Sequence, residues 1–307
     1  MLIYICAGIL LVVYILLTAN SGEPRMSRLF NSTCAIVIAS IGQALVHFVH
    51  GIDLSAAGLI SFSNCAAAMF MPSDPALIAL FILLSLIIGG IAGFLNGYVI
   101  THFKLPPFIV TFASWFIWEG IAYFITPIKT GLNSAAFSEA LTGGVLGIPI
   151  SLIIMLVPLI LWIYVYRTHF GISLHAIAQS KSTAYYCGIR VTDITIAAYA
   201  LCGLLSVASG ILIAAYTQKG APSGGDSYLL LTLCAVFLGG TSFKPGSTSV
   251  FGTVAGCFVL QIFIELILLL GVPIYWAQLL RGLVFIFIIF LRAAVNYREK
   301  SGKEAVL

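Results

Sequence analysis

Long apolar segments dominate the chain, and short polar connections separate them. Ten such segments can be counted, at about 1–19, 30–48, 54–71, 76–100, 108–126, 146–166, 193–216, 228–240, 249–270 and 275–293. A helix needs about 20 mainly apolar residues to cross the hydrocarbon core of a bilayer. The pattern therefore predicts an all-α polytopic membrane protein with about ten transmembrane helices.

Two of these segments, 54–71 and 228–240, are short or rich in small residues. Such segments are typical of broken or partial crossings that line a protein interior. No stretch is left over for a soluble catalytic domain. We therefore expect a single transmembrane domain over residues 1–307.

The longest polar interval runs from Arg167 to Asp193. Its composition predicts that it projects into water rather than lies in lipid. We interpret residues 167–192 of this interval as a docking loop, and the remainder of the chain as the part that the loop moves.

Composition supports the membrane assignment, because only 8% of residues are charged and the mean hydropathy is +1.13. Soluble domains carry about 25% charged residues. Residues 1–17 contain no charge, so the first segment is expected to be a retained span rather than a signal peptide. The net charge of +4 indicates no basic face for nucleic acid.

Basic residues in short loops mark the cytoplasmic side. With both termini cytoplasmic, nine basic residues lie inside: Lys104, Arg167, Lys181, Arg190, Lys244, Arg292, Arg298, Lys300 and Lys303. Four lie outside: Arg25, Arg28, Lys129 and Lys219. The pair after the first span favours the opposite orientation locally, but the summed loops favour cytoplasmic termini.

Glycines at 89, 93 and 97 form two overlapping Gly-x-x-x-Gly steps. Small residues four apart share one helical face and let another backbone approach closely. We expect this helix to be buried in the bundle. Asn96 lies beside the stripe, and its amide needs a partner or a wet cavity.

Catalytic signatures are missing from the sequence. The pair Gly302-Lys303 is followed by Glu304, so no phosphate-binding Gly-x-x-x-x-Gly-Lys-Ser/Thr loop exists. Neither His-Glu-x-x-His nor Gly-x-Ser-x-Gly occurs. The chain is therefore expected not to be an enzyme and to hold no cofactor of its own.

The most metal-like group consists of His47, His50 and Asp53, but Gly51 argues against one continuous helix through them. A structural zinc site needs four ligands, and nothing nearby completes the set. We expect no metal site here, and a helix end whose polar groups are solvated.

Acids within or at the edge of the membrane are few: Asp53, Glu119 and Glu265, with Arg281 as the possible counter-charge. Their scarcity disfavours an ion-coupled carrier without excluding it.

Several blocks along the chain resemble the ribose-type permease subunits of bacterial ABC sugar importers. They are Gly51-Ile-Asp-Leu-Ser55, Asn96-Gly97, Leu105-Pro-Pro-Phe-Ile-Val-Thr111, Gly239-Gly-Thr-Ser242, Gly246 through Gly252, Gly271-Val-Pro-Ile-Tyr-Trp276 and Arg281-Gly282. The resemblance implies a type II fold like that of the vitamin B12 permease.

Partners follow from the same resemblance. It implies two permease subunits, a cytoplasmic ATPase that binds ATP and Mg, a periplasmic binding protein that delivers a sugar, and location in the bacterial inner membrane. It also makes residues 167–192 the loop that seats on the ATPase through a short helix around His175 to Tyr186. Its coupling residues would be Phe170, Gly171, His175, Ala176, Ile177, Ala184, Gly188 and Ile189.

Departures from the family pattern occur at Ile172, Gln179-Ser180, Cys187, His50, Ala56-Ala57 and Glu119. They leave open whether this subunit pairs with itself or with a different chain, and which solute it carries. Pentoses, hexoses, autoinducer 2, polyols and nucleosides remain candidates.

For such a permease, a sugar pathway needs amide and hydroxyl partners with an aromatic face. Candidates are Gln43, Asn64, Asn96, Phe108, Thr111, Trp115 and Trp118, although helix-to-helix hydrogen bonding or core packing explains each of them at least as well. The alternative function is an ion-coupled secondary carrier or channel for a small polar solute.

Overall fold

A computed structural model describes residues 2–18, 25–126, 130–131, 135–145, 148–239 and 249–271, with isolated positions further on. Its helices are α1 Leu2–Thr18, α2 Arg25–Phe48, α3 Ser55–Phe70, α4 Pro75–His102, α5 Pro107–Ile125, α6 Ala135–Thr142, α7 Ile150–Tyr166, α8 His169–Gln179, α9 Lys181–Tyr186, α10 Val191–Thr217, α11 Asp226–Leu238 and α12 Val250–Leu269. Its two-residue strands are β1 Thr130–Gly131, β2 Gly144–Val145, β3 Ile148–Pro149 and β4 Lys219–Gly220.

Nine of the ten predicted apolar segments are helices in the described part of the chain, and the tenth, 275–293, lies largely outside it. Five described helices, α2, α4, α5, α10 and α12, are long and apolar enough to cross a membrane. A sixth crossing follows if α7 and α8, which meet at an 81° bend, count as one. The prediction of an all-α polytopic membrane protein is confirmed.

Local sequence sets several helix ends. Asp74 accepts hydrogen bonds from the backbone N–H groups of Ala76 and Leu77, and Pro75 occupies the first turn of α4. Ser249 accepts from the N–H of Gly252 at the start of α12. These acceptors satisfy N–H groups that have no partner within their own helix.

The central helix is α2, in which every residue from 32 to 46 is buried. It packs against α7, α10, α11 and α12. Two of its hydroxyl groups, those of Ser32 and Thr33, donate hydrogen bonds to the backbone carbonyl of Leu29 in the same helix. The hydroxyls of Ser32 and Thr33 are thus satisfied without water.

Helix α4 lies at the outside of the bundle, so the expectation that the whole helix is buried is wrong. Its buried positions form one narrow stripe: Ser85, Gly89, Ala92, Gly93, Asn96, Gly97 and Ile100. This stripe packs on α10. A Cβ atom at Gly89 would lie 2.6 Å from the Gly203 carbonyl oxygen, and one at Gly97 would lie 2.8 Å from the Ile196 Cα. The glycines therefore define one contact face, which we call the glycine seam.

Helices α8 and α9 lie at one end of the bundle, between the end of α7 and the start of α10. We call this the loop end of the bundle. At the opposite end, β1 pairs antiparallel with β4, joining Thr130 to Gly220. Helix α6 is attached there as well, because Ser138 donates to the Ala215 carbonyl at 2.7 Å. The segment between α5 and α7 is thereby tied to the end of α10.

A leucine in place of Gly93 tests the glycine seam. Its Cβ would collide with the carbonyl group of Tyr199, so Gly93→Leu should destabilise the protein by about 1–3 kcal/mol. Thermal unfolding in detergent measures the effect. Gly90→Leu is the matched control, because no heavy atom lies within 4 Å of a Cβ there. Equal unfolding temperatures for the two variants would contradict a packed seam.

Candidate functional site

The polar loop between α7 and α10 folds as two helices, α8 and α9, rather than as the single short helix expected around His175 to Tyr186. The break falls at Ser180, whose backbone is extended (φ −162°, ψ 117°). The Ser180 hydroxyl accepts a hydrogen bond from the Thr183 N–H and so begins α9. A residue with strong capping preference therefore divides the loop.

The inner face of this loop is packed against the bundle. Leu174, Ile177, Ala178 and Ala184 are buried in the main hydrophobic core, and Phe170, Ala176 and Ile189 pack partly against it. These contacts hold the loop on the ends of α2, α7 and α10.

The sharp corner between α7 and α8 depends on Gly171 and His175. A Cβ at Gly171 would lie 2.7 Å from the Tyr166 Cα, so a side chain there would force the corner open. His175 donates from Nδ1 to the Gly171 carbonyl at 2.8 Å, and its ring lies 4.8 Å from those of Phe48 and Tyr166. The corner is thus clamped to the end of α2.

The outer face of the loop carries three large exposed side chains, beside the exposed polar residues Lys181, Ser182 and Thr183. Ile172, Tyr185 and Tyr186 are 61%, 68% and 85% exposed. None of the three was among the predicted coupling residues, which lie mostly on the inner face or at the turn. The adjacent tyrosines, Tyr185 and Tyr186, within a polar interval could have indicated an exposed binding surface. The sequence did not show that they point outward, because this depends on where α9 begins, at Ser180.

Gly188 follows α9 with a positive φ of 82°, and no heavy atom lies within 4 Å of a Cβ built there. Its requirement for glycine is therefore conformational rather than steric. Cys187, beside it, is exposed.

The four amide and hydroxyl candidates for a pathway bind groups of the chain itself. Gln43 donates to the Asp53 carbonyl, and Asn96 donates to the Ser55 hydroxyl at 2.9 Å. Thr111 donates to the Pro107 carbonyl at 2.9 Å.

Asn64 links α3 to the turn after α10. Its Nδ2 donates to the Lys219 carbonyl at 3.2 Å, and its Oδ1 accepts from the Ala221 N–H at 2.8 Å. Both ends of the amide are therefore occupied by backbone.

Residues 49–54 separate α2 from α3, and we call them the α2–α3 break. Asp53 within it is fully buried, so the expectation that the polar groups here are solvated is wrong for Asp53, whereas His50 is exposed. One carboxylate oxygen accepts from both the N–H and the hydroxyl of Ser55. Helix α2 ends at Phe48, so His47, His50 and Asp53 do not share a helix. No three His, Cys, Asp or Glu side chains in the described ranges are placed to hold a metal ion.

The aromatic candidates lie on α5, which is largely exposed. Phe108 and Phe112 stack with centroids 5.6 Å apart, and Phe112 meets Phe116 edge-on at 4.9 Å. Trp115 stacks on Phe116, whereas Trp118 turns the other way and packs on Phe62 of α3. Phe108, Phe112, Trp115 and Phe116 form the aromatic row of α5.

Glu265 on α12 accepts a hydrogen bond from Gln261, whose amide also donates to Ser32 of α2. The possible counter-charge, Arg281, lies outside the described residues.

Residues 25–289 match the family described as branched-chain amino acid transport system / permease component. The chain belongs to this family. It is accordingly a permease component of a multi-pass membrane transport system. The blocks around 239–248 and 271–282 that support the resemblance lie mostly outside the described residues.

Individual relatives cover nearly the whole chain. The ribose import permease protein of Bacillus subtilis is 32% identical over 291 residues, covering 92% of this chain and 89% of its own. The Escherichia coli K12 ribose import permease protein is 29% identical, with 91% and 89% covered. The autoinducer 2 import system permease protein of Escherichia coli O9:H4 is 28% identical, with 91% and 88% covered. No solved structure shows a significant match.

Gly188 offers a test of the turn after α9. Gly188→Ala should strain the backbone by about 1 kcal/mol and shift the loop, while Gly188→Asn should be milder because asparagine tolerates positive φ. Limited proteolysis between α9 and α10 measures the difference. Gly120→Ala, at another position with nothing within 4 Å but an ordinary helical backbone, is the control. Similar cleavage of the alanine and asparagine variants would contradict the conformational requirement.

Proposed function

We propose that the chain is the membrane-spanning subunit of an ATP-driven importer for a sugar or sugar-like solute. A periplasmic binding protein would deliver the solute, and a separate ATPase would bind ATP and Mg and hydrolyse the nucleotide. The relatives are named for ribose and autoinducer 2 import, which supports this class of solute.

The observation that carries the proposal is the two-sided construction of the α8–α9 loop. The residues of its inner face are packed in the hydrophobic core, whereas Ile172, Tyr185 and Tyr186 on its outer face are exposed. Exposed apolar patches on a rigid element mark surfaces that bind other proteins. When a bound partner displaces a loop of this kind, the helices packed against the loop move with it.

Orientation follows from the basic residues. Arg167, Lys181 and Arg190 all belong to this loop, and such residues favour the cytoplasm. With the loop end cytoplasmic, the end that carries α6, β1 and β4 faces the periplasm and the binding protein.

The aromatic row of α5 is our candidate for a pathway wall. A sugar ring offers C–H groups that suit an aromatic face, and the exposed position of Phe108 and Phe112 leaves that face available to a second permease subunit. The solute would cross between two subunits as the helices rock, and it would not be chemically changed. Gln43, Asn64, Asn96 and Thr111 then serve to hold the helices rather than to bind solute.

Transport by purified components tests the proposal. The chain, co-expressed with the ATPase and binding protein from its own operon, should give ATP-dependent uptake of radiolabelled ribose or autoinducer 2 in liposomes. Uptake by the chain alone down an ion gradient, without ATP, would instead establish the ion-coupled carrier.

Alanine at both tyrosines of α9 tests the docking surface. Tyr185→Ala with Tyr186→Ala should reduce recovery of the ATPase with the permease about tenfold or more, because paired aromatic anchors dominate such interfaces. Co-purification in detergent measures this. Tyr164→Ala is the control, since Tyr164 is also highly exposed, at 73%, but lies on α7. Unchanged recovery of the ATPase in the double variant would contradict the assignment.

A further inference from the structure

The α2–α3 break lies where the α8–α9 loop meets the helices that carry the candidate pathway. We propose that His50, within this break, is a positioning residue that transmits movement of α8 to the α3–α5 pair. The inference rests on the proposed function and specifies the mechanical route inside the subunit.

His50 joins the break to α8 through one hydrogen bond. Its Nε2 lies 3.1 Å from the Ile177 carbonyl oxygen, and since a carbonyl only accepts, Nε2 is the donor. Ile177 lies in the last turn of α8, where carbonyl groups have no partner within the helix. A histidine donor at this end is also favoured by the helix dipole.

The backbone of His50 is held in an unusual conformation, with φ 56°. The next N–H, that of Gly51, donates to the Val46 carbonyl at 3.0 Å and closes the end of α2. A Cβ at Gly51 would collide with the Tyr199 hydroxyl, so the chain passes tightly between α2 and α10. The backbone at His50 is therefore held by its surroundings, and the bond to Ile177 directs the exposed side chain toward α8.

Beyond His50, four helices hold the break. Its Asp53 carbonyl accepts from Gln43 of α2, and its Ile52 carbonyl lies 3.4 Å from the Thr111 hydroxyl of α5 and 3.5 Å from the Tyr199 hydroxyl of α10. Asn96 of α4 reaches Ser55, the first residue of α3. A displacement of the break therefore moves the start of α3.

Helices α3 and α5 move together because their backbones touch. A Cβ at Gly58 would lie 2.5 Å from the Trp115 carbonyl oxygen, which leaves no room for sliding. Trp115 belongs to the aromatic row. The connection therefore runs from α8 through His50 and the break to α3, and from α3 to the candidate pathway wall.

The test compares His50→Gln, which keeps a side-chain N–H donor, with His50→Leu, which has none. Both side chains are unbranched at Cβ, so both impose similar strain at this positive φ. Each is placed in the permease–ATPase complex in nanodiscs, with Cys6→Ala and Cys187→Ala removing the exposed thiols and Phe112→Cys reporting on α5. Maleimide labelling is measured with and without ATP and vanadate.

We expect ATP to change the labelling rate at position 112 in the parent and in His50→Gln. In His50→Leu this response should fall about fivefold, the scale of one net hydrogen bond, while ATPase recovery and thermal stability stay at parent levels. In a second set of complexes that retain Phe112, His50→Leu should continue to hydrolyse ATP with less transport per ATP than His50→Gln.

Three results would overturn the inference: a normal response in the leucine variant, an equal loss in both variants, or no response to ATP in the parent. A loss of stability in His50→Leu that matches its loss of response would assign His50 to folding alone. Failure of the proposed function is distinguishable, because the unmodified complex would then lack ATP-dependent uptake of ribose or autoinducer 2.

Discussion

A backbone that leaves helical geometry among packed helices must find hydrogen-bond partners for its buried groups within the protein, and the α2–α3 break shows how this chain meets that constraint. Side chains from α2, α5 and α10 converge on the carbonyls of Ile52 and Asp53. The same requirement brings Asn96 of α4 to the first residue of α3. One irregular segment thereby fixes the relative positions of five helices.

Close contacts between the backbones of neighbouring helices also stabilise the helix bundle. Between helices in lipid the hydrophobic effect gives little net attraction, so association depends on van der Waals contact and internal hydrogen bonds. Helix α10 makes such contacts on two sides, with Gly203 against Gly89 of α4 and Gly210 against Ile60 of α3. Leucine-rich faces, such as most of α4, are then left for the bilayer or for partner subunits.

The helical pattern and the membrane class could be predicted from sequence, since both follow from apolar length and charge. The glycine spacing at 89, 93 and 97 identified a contact face, but it could not show that the other faces of α4 are uncovered. Burial of Asp53 was missed because a polar residue beside a glycine ordinarily indicates a solvated turn. Its surroundings include Asn96 and Tyr199, which are distant in sequence, so local pattern carried no trace of them.

The length of the α4–α10 pair has a further consequence for the surrounding lipid. These helices have 28 and 27 residues, about 40 Å each, whereas a typical hydrocarbon core is about 30 Å thick. Such a mismatch is relieved by tilting, and the glycine seam obliges both helices to tilt as one body. The turn after α9 and strand β4 sit at opposite ends of α10, so bilayer thickness sets the height of both. The lipid composition of the membrane thus acts on both ends of α10 together.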